Sequence, residues 1–262
     1  MNTGTKTIQR LHLSDIDRYH LDRQANRAVA QELQPDDYHN RVVLKPWGYE
    51  FLLFENSSVA VWFLSIRPDH ATSMHCHPHK KTALLLLSGK AFSSTFQKRQ
   101  FLLPGEALMI EKGVFHATRA YSNQGIDLIE VETPPNKLDL CRLEDQYGRL
   151  TCGYEGYAQM VTQELSAFHY HRFAEDDHDS HLFTTDGKYA IRMATFASAD
   201  DFSSQFKIDP GALYCLCTGS LRAGSGMPVC GVGDIESGIR LAQCHGLQSD
   251  GPVVLMIFNI FG

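Results

Sequence analysis

The sequence predicts an all-β protein made of two tandem jelly-roll β-barrels with one N-terminal helix. From Val42 onward, short runs rich in β-branched, aromatic and leucine residues are separated by Gly, Pro, Asn and Asp. Closely spaced short strands of this kind are typical of sandwiches, jelly rolls and barrels. In addition, residues 63–91 align without a gap on residues 193–221. Both segments contain a strand, a polar loop, an apolar strand and then Ser-Gly or Thr-Gly, so we interpret them as two copies of one β fold.

The helix is predicted before the first strand. Between residues 14 and 33, apolar side chains such as Leu21, Ala25 and Leu33 recur at helical spacing, and Ser14 or Asp15 can cap the first turn. We expect this helix to pack on the outside of the β structure.

These patterns divide the chain into four parts. We expect an N-terminal helical segment at 1–41, a first barrel at 42–150, a linker at 151–185 and a degenerate second barrel at 186–262.

Composition excludes several classes of function. The formal net charge of -6 and the lack of a long Lys/Arg run argue against nucleic-acid binding. The longest apolar runs fall far short of the roughly 20 residues that span a bilayer, and the N-terminus lacks the apolar core of a secretory signal. The seven cysteines show no regular spacing, so no disulfide framework is expected. We therefore expect a cytoplasmic protein without a membrane partner.

Three histidines indicate a metal site in the first barrel. His75 and His77 alternate along a predicted strand, so their imidazoles point to the same face, and His116 follows a second apolar strand and a glycine turn. Neutral imidazoles suit zinc, iron, manganese, nickel or copper, so the ligands alone do not select the ion. In the second copy, Gln205 and Lys207 stand in place of the first two histidines. Only the first barrel is therefore expected to bind metal.

The histidine-rich segment "SMHCHPHKKTALLLLSG" and the later "PGEALMIEKGVFH" resemble the two motifs of the cupin superfamily. More narrowly, residues 42–150 are similar to the C-terminal cupin domain of type II phosphomannose isomerases and mannose-1-phosphate guanylyltransferases. The stretches "KPWGYE" and "IEVETPPNKLDLCRLEDQYGR" also contribute to this similarity. The resemblance implies a bicupin whose first domain uses a divalent metal ion, zinc, iron, manganese or nickel. It also implies an isomerase-like or epimerase-like activity on a phosphorylated or nucleotide-linked sugar in surface-polysaccharide precursor metabolism.

The family's metal ligands are a Gln, a His, a Glu and a later His. These positions correspond here to His75, His77, Thr82 and His116, so the carboxylate is missing. A fourth ligand would have to come from His79 or from one of two glutamates, Glu130 and Glu132.

The resemblance also suggests residues that act on the substrate. Lys80 and Arg149, with Lys45 as a further candidate, correspond to basic residues of the family and can pair with an anionic sugar phosphate. Glu130 is a candidate for moving a proton. We predict Arg149, Glu130 and Lys80 as the catalytic residues.

Whether the protein is an enzyme is left open by the sequence. One alternative is an iron dioxygenase, because three histidines with open positions also occur in cupin oxygenases. The other is a cupin that binds a sugar or an effector without catalysis. In each case we expect a small-molecule ligand and a homodimer.

A second histidine group lies at residues 168–181 and contains His169, His171, His178 and His181 among acidic residues. Because it falls between the two copies, we interpret it as a solvated linker and not as a metal site.

Overall fold

The structure is a computed structural model that describes residues 7–24, 38–150, 154–174, 181–183 and 187–261. It is mostly β, in agreement with the sequence prediction. The second part of the predicted helix, from residue 25 onward, lies outside the described residues. Within the described ranges, no helix is both long and apolar enough to cross a membrane.

The elements up to residue 161 are, in chain order, β1 (Ile8–Leu11), α1 (Asp15–Gln24), β2 (Val42–Lys45), β3 (Gly48–Glu55), β4 (Ala60–Ile66), β5 (Met74–Cys76), β6 (Lys81–Ser88), β7 (Ala91–Ser94), β8 (Arg99–Leu102), β9 (Ala107–Ile110), β10 (Ala117–Ala120), β11 (Ile126–Thr133), β12 (Cys141–Glu144) and β13 (Met160–Val161). The later elements are β14 (His181–Phe183), β15 (Tyr189–Phe196), α2 (Ala199–Gln205), β16 (Leu213–Thr218), β17 (Leu221–Arg222), β18 (Pro228–Cys230), β19 (Ile235–Ser237), α3 (Gly238–Gln243), β20 (Gln248–Ser249) and β21 (Val253–Ile260). Short 3-10 turns occur at Tyr157–Gln159 and Leu165–Phe168.

The first half forms an eight-stranded sheet in the order β1-β9-β6-β11-β4-β3-β2-β13, a three-stranded sheet β10-β7-β8 and the pair β12-β5. Two isolated bridges link these smaller sheets. Ala71, before β5, pairs with Arg119 of β10, and His75 of β5 pairs with His116, just before β10. Among the described strands, the expected closed barrel is therefore not found. The reason is that the short strands of the smaller sheets do not pair continuously with the large sheet.

The second half repeats this strand order. The order β19-β16-β21-β15-β14 corresponds to β9-β6-β11-β4-β3, and β18-β17-β20 corresponds to β8-β7-β10. The apolar strands β6 and β16 both end at a glycine with left-handed backbone, Gly89 at φ 79° and Gly219 at φ 91°. The topology therefore parallels the repeat found in the sequence.

The two halves differ at the positions that correspond to the histidines. In the second half, helices α2 and α3 occupy the segments that correspond to β5 and to the loop before β10. Its interior is filled by apolar side chains, with Phe202 stacked on Phe206 and Tyr214 against Phe206. Gln205 is exposed. In the described part of the second half, helices and apolar side chains thus stand where the first half has its histidines.

The run "ALLLL" of β6 is apolar because both faces of this strand are covered. Ala83 and Leu85 face a core shared with the second half, where Met193 and Phe258 also lie. Leu84 lies in the separate interior core of the first half. A strand that is buried on both faces reads as a continuous apolar run and not as an alternating pattern.

Part of the segment predicted as a linker belongs to the shared core. Phe173 is buried and its N–H donates to the carbonyl of Leu53 at 2.8 Å, while Phe168 and Tyr170 pack on the same core. The apolar side chains of this stretch, Leu165, Phe168, Tyr170 and Phe173, are therefore packed and not solvated as predicted, because they cover apolar side chains of the large sheet. His169 is exposed, and His178 lies outside the described residues.

Helix α1 packs beside the candidate site. The hydroxyl of Ser14 accepts a hydrogen bond from the N–H of Asp17 at 3.2 Å, as an N-cap does. The carboxylate of buried Asp17 in turn accepts the N–H of Phe115 at 2.9 Å. This contact fixes the backbone immediately before His116.

Candidate metal centre

The three predicted histidines lie together inside the first half. His75 lies on β5, His77 follows that strand directly, and His116 precedes β10. His75 and His116 exchange two backbone hydrogen bonds of 3.0 and 2.8 Å. The ring centroids are 4.5 Å apart for His75 and His116, 5.0 Å for His75 and His77, and 5.7 Å for His77 and His116.

Backbone carbonyls orient all three rings. The Nδ1 atoms of His75, His77 and His116 lie 2.8, 2.6 and 3.0 Å from the carbonyl oxygens of Ser73, Asp139 and Val114. Since a carbonyl only accepts, each Nδ1 carries the proton and each Nε2 presents a lone pair. The Nε2 atoms of His77 and His116 are buried without a hydrogen-bond partner.

A carboxylate completes the group. Ligand atoms of His75, His77, His116 and Glu130 all lie within 4.8 Å of one another, and Oε1 of Glu130 is 3.6 Å from Nε2 of His77. Glu130 lies on β11 and therefore on the strand next to β6, which carries Thr82 at the position of the family's Glu. His79, the other candidate, is exposed and is not part of this group.

Burial and charge set the protonation states of these side chains. Burial lowers the pKa of His75 well below its usual value, and it lowers the pKa of His116 to about 4. Burial acts to raise the pKa of Glu130, but the adjacent His77 and the charges of Lys137 and Lys80 lower it well below its usual range. At neutral pH the imidazoles of His75 and His116 are therefore neutral and the carboxylate of Glu130 is ionised.

This donor set fits a divalent transition metal. Imidazole nitrogens with one carboxylate are common ligands of zinc, iron, manganese and nickel. In such sites the second nitrogen of each imidazole usually donates to a carbonyl or carboxylate, as all three do here. The two buried Nε2 atoms without partners are the polar groups that an ion would satisfy.

The histidines form one side of a pocket whose other sides are strongly charged. Lys45, Lys80, Lys137, Arg142 and Arg149 line it together with Glu50, Glu130 and Glu132. The structure thus brings the predicted residues Lys45, Lys80 and Arg149 into the same pocket as the three histidines. Thr72, Ser73 and Thr118 add hydroxyl groups to its wall.

Glu132 lies between two buried lysines. Its Oε1 is 2.9 Å from Nζ of Lys80 and 3.2 Å from Nζ of Lys137. Lys137 also lies 3.1 Å from Glu50 and 3.6 Å from the ring centroid of Trp62. Burial acts to raise the pKa of Glu132, but the charges of Lys137 and Lys80 lower it. Glu132 is therefore ionised at neutral pH.

A second charged group surrounds Glu155. Its carboxylate contacts Lys45, lies 2.6 Å from Arg149 and lies 3.9 Å from Arg142. Burial acts to raise the pKa of Glu155, but Lys45 lowers it, as do Arg142 and Arg149, to about 2. Arg142 lies directly opposite His75 in the β5–β12 pair. This group therefore adjoins the histidines.

Sequence reasoning missed Lys137, Arg142 and Glu155. Lys137 and Arg142 belong to "NKLDLCRLEDQYGR", which was recognised as a motif, but only Arg149 was selected from it. The available signal was the alternation of the charged residues Arg142 and Glu144 with the apolar residues Cys141 and Leu143 in a short strand. The pairing of β12 with β5 was not visible in the sequence.

Comparison with known proteins is consistent with this geometry. Residues 32–145 match the family model described as the mannose-6-phosphate isomerase C-terminal domain. A mannose-1-phosphate guanylyltransferase of Klebsiella pneumoniae is 24% identical over 124 residues, which cover 46% of this chain and 26% of that protein. The xanthan biosynthesis protein XanB of Xanthomonas campestris is 26% identical over 112 residues, covering 42% and 24% of the two chains. The matched region thus spans about a quarter of these relatives.

Solved structures with similar chains include KdgF from Halomonas sp., at 14% identity and a TM-score of 0.35 over 38% of this chain and 93% of that chain. A cupin superfamily protein from Desulfitobacterium hafniense is 17% identical with a TM-score of 0.30, over 33% and 76% of the two chains.

Proposed function

We propose that the protein is a metal-dependent bicupin that acts on a phosphorylated or nucleotide-linked sugar in an isomerase-like or epimerase-like reaction of polysaccharide precursor metabolism. The single observation that carries the proposal is the buried group of three imidazoles and Glu130, which shares its pocket with five basic side chains. The matched family and the polysaccharide-related names of two relatives support the sugar-phosphate substrate class.

In this proposal His75, His77, His116 and Glu130 hold the metal. Glu130 was predicted from the sequence as a catalytic residue, and its place among the imidazoles favours the role of ligand. A divalent ion supplies Lewis-acid polarisation of a carbonyl or hydroxyl oxygen.

Proton transfer is then assigned to the network around Glu132. Isomerisation of an aldose to a ketose moves a proton between adjacent carbons and needs a base within reach of both. Glu132 is ionised, lines the pocket and lies two residues along β11 from Glu130. Lys80, 1% exposed at its side chain, pairs with Glu132 and donates to the carbonyl of Asn136, so it orients the base and adds positive charge to the pocket.

The basic side chains provide the recognition of an anionic group. Arg149 and Lys45 line the pocket, and basic side chains of these types can pair with phosphate oxygens. The hydroxyl groups of Thr72 and Thr118 can bind sugar hydroxyls on the same wall.

The proposal includes the division of the chain into 1–41, 42–150, 151–185 and 186–262, with the second cupin acting as a structural partner. It also includes a homodimer in the cytoplasm. The shared core between the halves supports the structural role of the second copy.

The runner-up function is a sugar-binding cupin without catalysis, which the tight pairing of Glu132 with two lysines favours because it makes this carboxylate a weak base. An iron dioxygenase remains the other alternative; the three-histidine site expected for it does not include the carboxylate of Glu130, which lies beside the imidazoles here.

The test is turnover of a panel of aldose phosphates, ketose phosphates and nucleotide sugars by protein reconstituted with each of the four metals. We expect conversion of at least one phosphorylated sugar, loss of turnover in Glu132→Gln with metal retained, and normal turnover in the exposed control His79→Ala. Tight binding without conversion would favour the sugar-binding module, and oxygen uptake with iron would favour the dioxygenase.

A further inference from the structure

Glu155 occupies a cradle of three positive charges beside the histidines. Its carboxylate is bound by Lys45 and Arg149, and Arg142 lies 3.9 Å away. The Glu155 side chain is 7% exposed, and those of Lys45 and Arg142 are 4% and 5% exposed. These charges act in a poorly solvated environment, where each is worth more than at the surface.

The cradle does not depend on Glu155 for its shape. Lys45 is held by Glu50 at 3.3 Å. Arg149 donates to both carboxylate oxygens of Asp145, at 2.7 and 3.4 Å. Arg142 is fixed by its place on β12 opposite His75. Lys45 and Arg149 therefore each have a second carboxylate partner that does not depend on Glu155, and the backbone of Arg142 is held in β12.

Glu155 itself lies outside regular secondary structure, between β12 and β13. Its side chain is not held by a strand, and its known polar contacts are the cations of the cradle. A phosphate monoester has three terminal oxygens, so it can accept more hydrogen bonds from two arginines and a lysine than the two-oxygen carboxylate of Glu155 can. Displacement of Glu155 by such an anion is therefore favourable in geometry and in charge.

We propose that Lys45, Arg142 and Arg149 form the phosphate site of this protein, and that Glu155 is an internal carboxylate that fills it until a phosphorylated ligand binds. This inference deepens the proposed function and rests on it for the substrate class. All three cations line the same pocket as His75, His77 and His116. A sugar phosphate would therefore place its phosphate in the cradle and its carbonyl or hydroxyl oxygens toward the histidines.

The charges around the pocket agree with this ligand. Among the described residues, five basic side chains line the pocket with three carboxylates, Glu50, Glu130 and Glu132, while Asp145 and Glu155 pair with Arg149 beside it. The side chains that line the pocket therefore include two more basic groups than acidic ones. A divalent ion adds two positive charges, and a phosphate monoester carries about -1.5 to -2 at neutral pH.

The test uses the full chain, depleted of metal by a chelator, and inorganic phosphate as the probe in titration calorimetry at constant ionic strength. Glu155→Gln removes the competing charge and keeps the shape of the side chain. We expect phosphate to bind this variant about tenfold or more tightly than the wild type, because phosphate no longer has to displace a charged carboxylate from the three cations. Arg149→Met in the same background should abolish the gain.

The matched control is Glu236→Gln, which removes a buried carboxylate from a pair with Arg240 far from the cradle. It should bind phosphate as the wild type does. If Glu155→Gln does not fold, Glu155→Asp, which withdraws the carboxylate by one methylene, should show a smaller gain by the same titration.

Unchanged or weaker phosphate binding in folded Glu155→Gln and Glu155→Asp would overturn the inference and make Glu155 a structural support. The inference would also be overturned if phosphate bound only after metal was restored and bound equally well to the wild type and to Arg149→Met. Because the titration is done without metal, these results do not depend on whether the proposed metal function is correct.

Discussion

Nε2 of His77 lies 3.6 Å from Oε1 of Glu130. Glu130 lies on β11 of the large sheet, whereas His77 directly follows β5 of the β5–β12 pair. A carboxylate on the neighbouring strand β11 thus lies beside the imidazoles, and the proposed metal centre uses it in place of the one missing at Thr82. Thr82 lies opposite Glu132, and Leu84 lies opposite Glu130. A shift of the carboxylate by one strand keeps it on the interior face, next to the imidazoles.

The first prediction concerns this carboxylate. Glu130→Gln should weaken zinc affinity by roughly tenfold to a hundredfold, because a charged ligand becomes a neutral one. Competition with a chromophoric chelator measures the change. Glu132→Gln is the matched control, because Glu132 lies two residues further along β11 on the same face as Glu130. This variant should keep the wild-type zinc affinity. Equal losses in both variants would contradict the assignment of Glu130 as the ligand.

The second prediction concerns the buried cation Lys137. Lys137→Met should lower the free energy of unfolding by about 3–5 kcal/mol, because Glu50 and Glu132 lose a buried partner. Urea denaturation measures this change. Lys81→Met removes a more exposed pair with Asp234 and should cost less than about 1 kcal/mol. A similar cost for both would show that the Lys137 network contributes little.

The third prediction is a dependence of stability on pH. The pKa of His75 is well below its usual value and that of His116 is about 4. Between about pH 6.5 and 4 the unfolded chain therefore binds more protons than the folded one, and stability falls as pH falls. Each histidine contributes a slope of up to about 1.4 kcal/mol per pH unit.

This slope can be isolated with metal-free protein by urea denaturation at pH 7, 6 and 5. The variant His116→Gln should flatten the pH dependence, whereas His79→Ala, at an exposed position, should leave it unchanged. A wild-type stability that stays constant from pH 7 to pH 5 would be inconsistent with neutral buried imidazoles.

The fourth prediction concerns the shared core. Phe63 is buried against residues of the second half, including Tyr189. A chain that ends at residue 150 exposes this face, so we expect it to aggregate or to bind a hydrophobic dye, as seen by light scattering and fluorescence. A soluble and monomeric fragment with a cooperative unfolding transition would contradict the structural role of the second copy.

Much of the fold was predictable from local patterns. Short apolar runs with glycine turns predicted the β architecture, and the repeated order of strands agrees with the alignment of 63–91 on 193–221. The sequence did not predict that, among the described strands of the first half, the short sheets do not close into a barrel with the large sheet. It also did not predict that Phe173 packs into the shared core, because the pattern of one segment does not report what covers it.

The candidate site was predictable only in part. His75 and His77 alternate within one short segment, so a local rule was enough to place them on one face. The roles of Glu130 and Arg142 depend on which strands are neighbours and in what register, with β11 beside β6 and β12 beside β5. The order and register of strands are long-range properties, and the spacing of residues within one segment does not determine them.

The most direct test of the central claim is elemental analysis of protein purified without a polyhistidine tag, for the wild type, the double variant His75→Ala/His77→Ala and the control His79→Ala. We predict near-stoichiometric divalent metal in the wild type and in the control, and almost none in the double variant. Equal metal content in all three, or a folded wild type that takes up none, would contradict the metal centre.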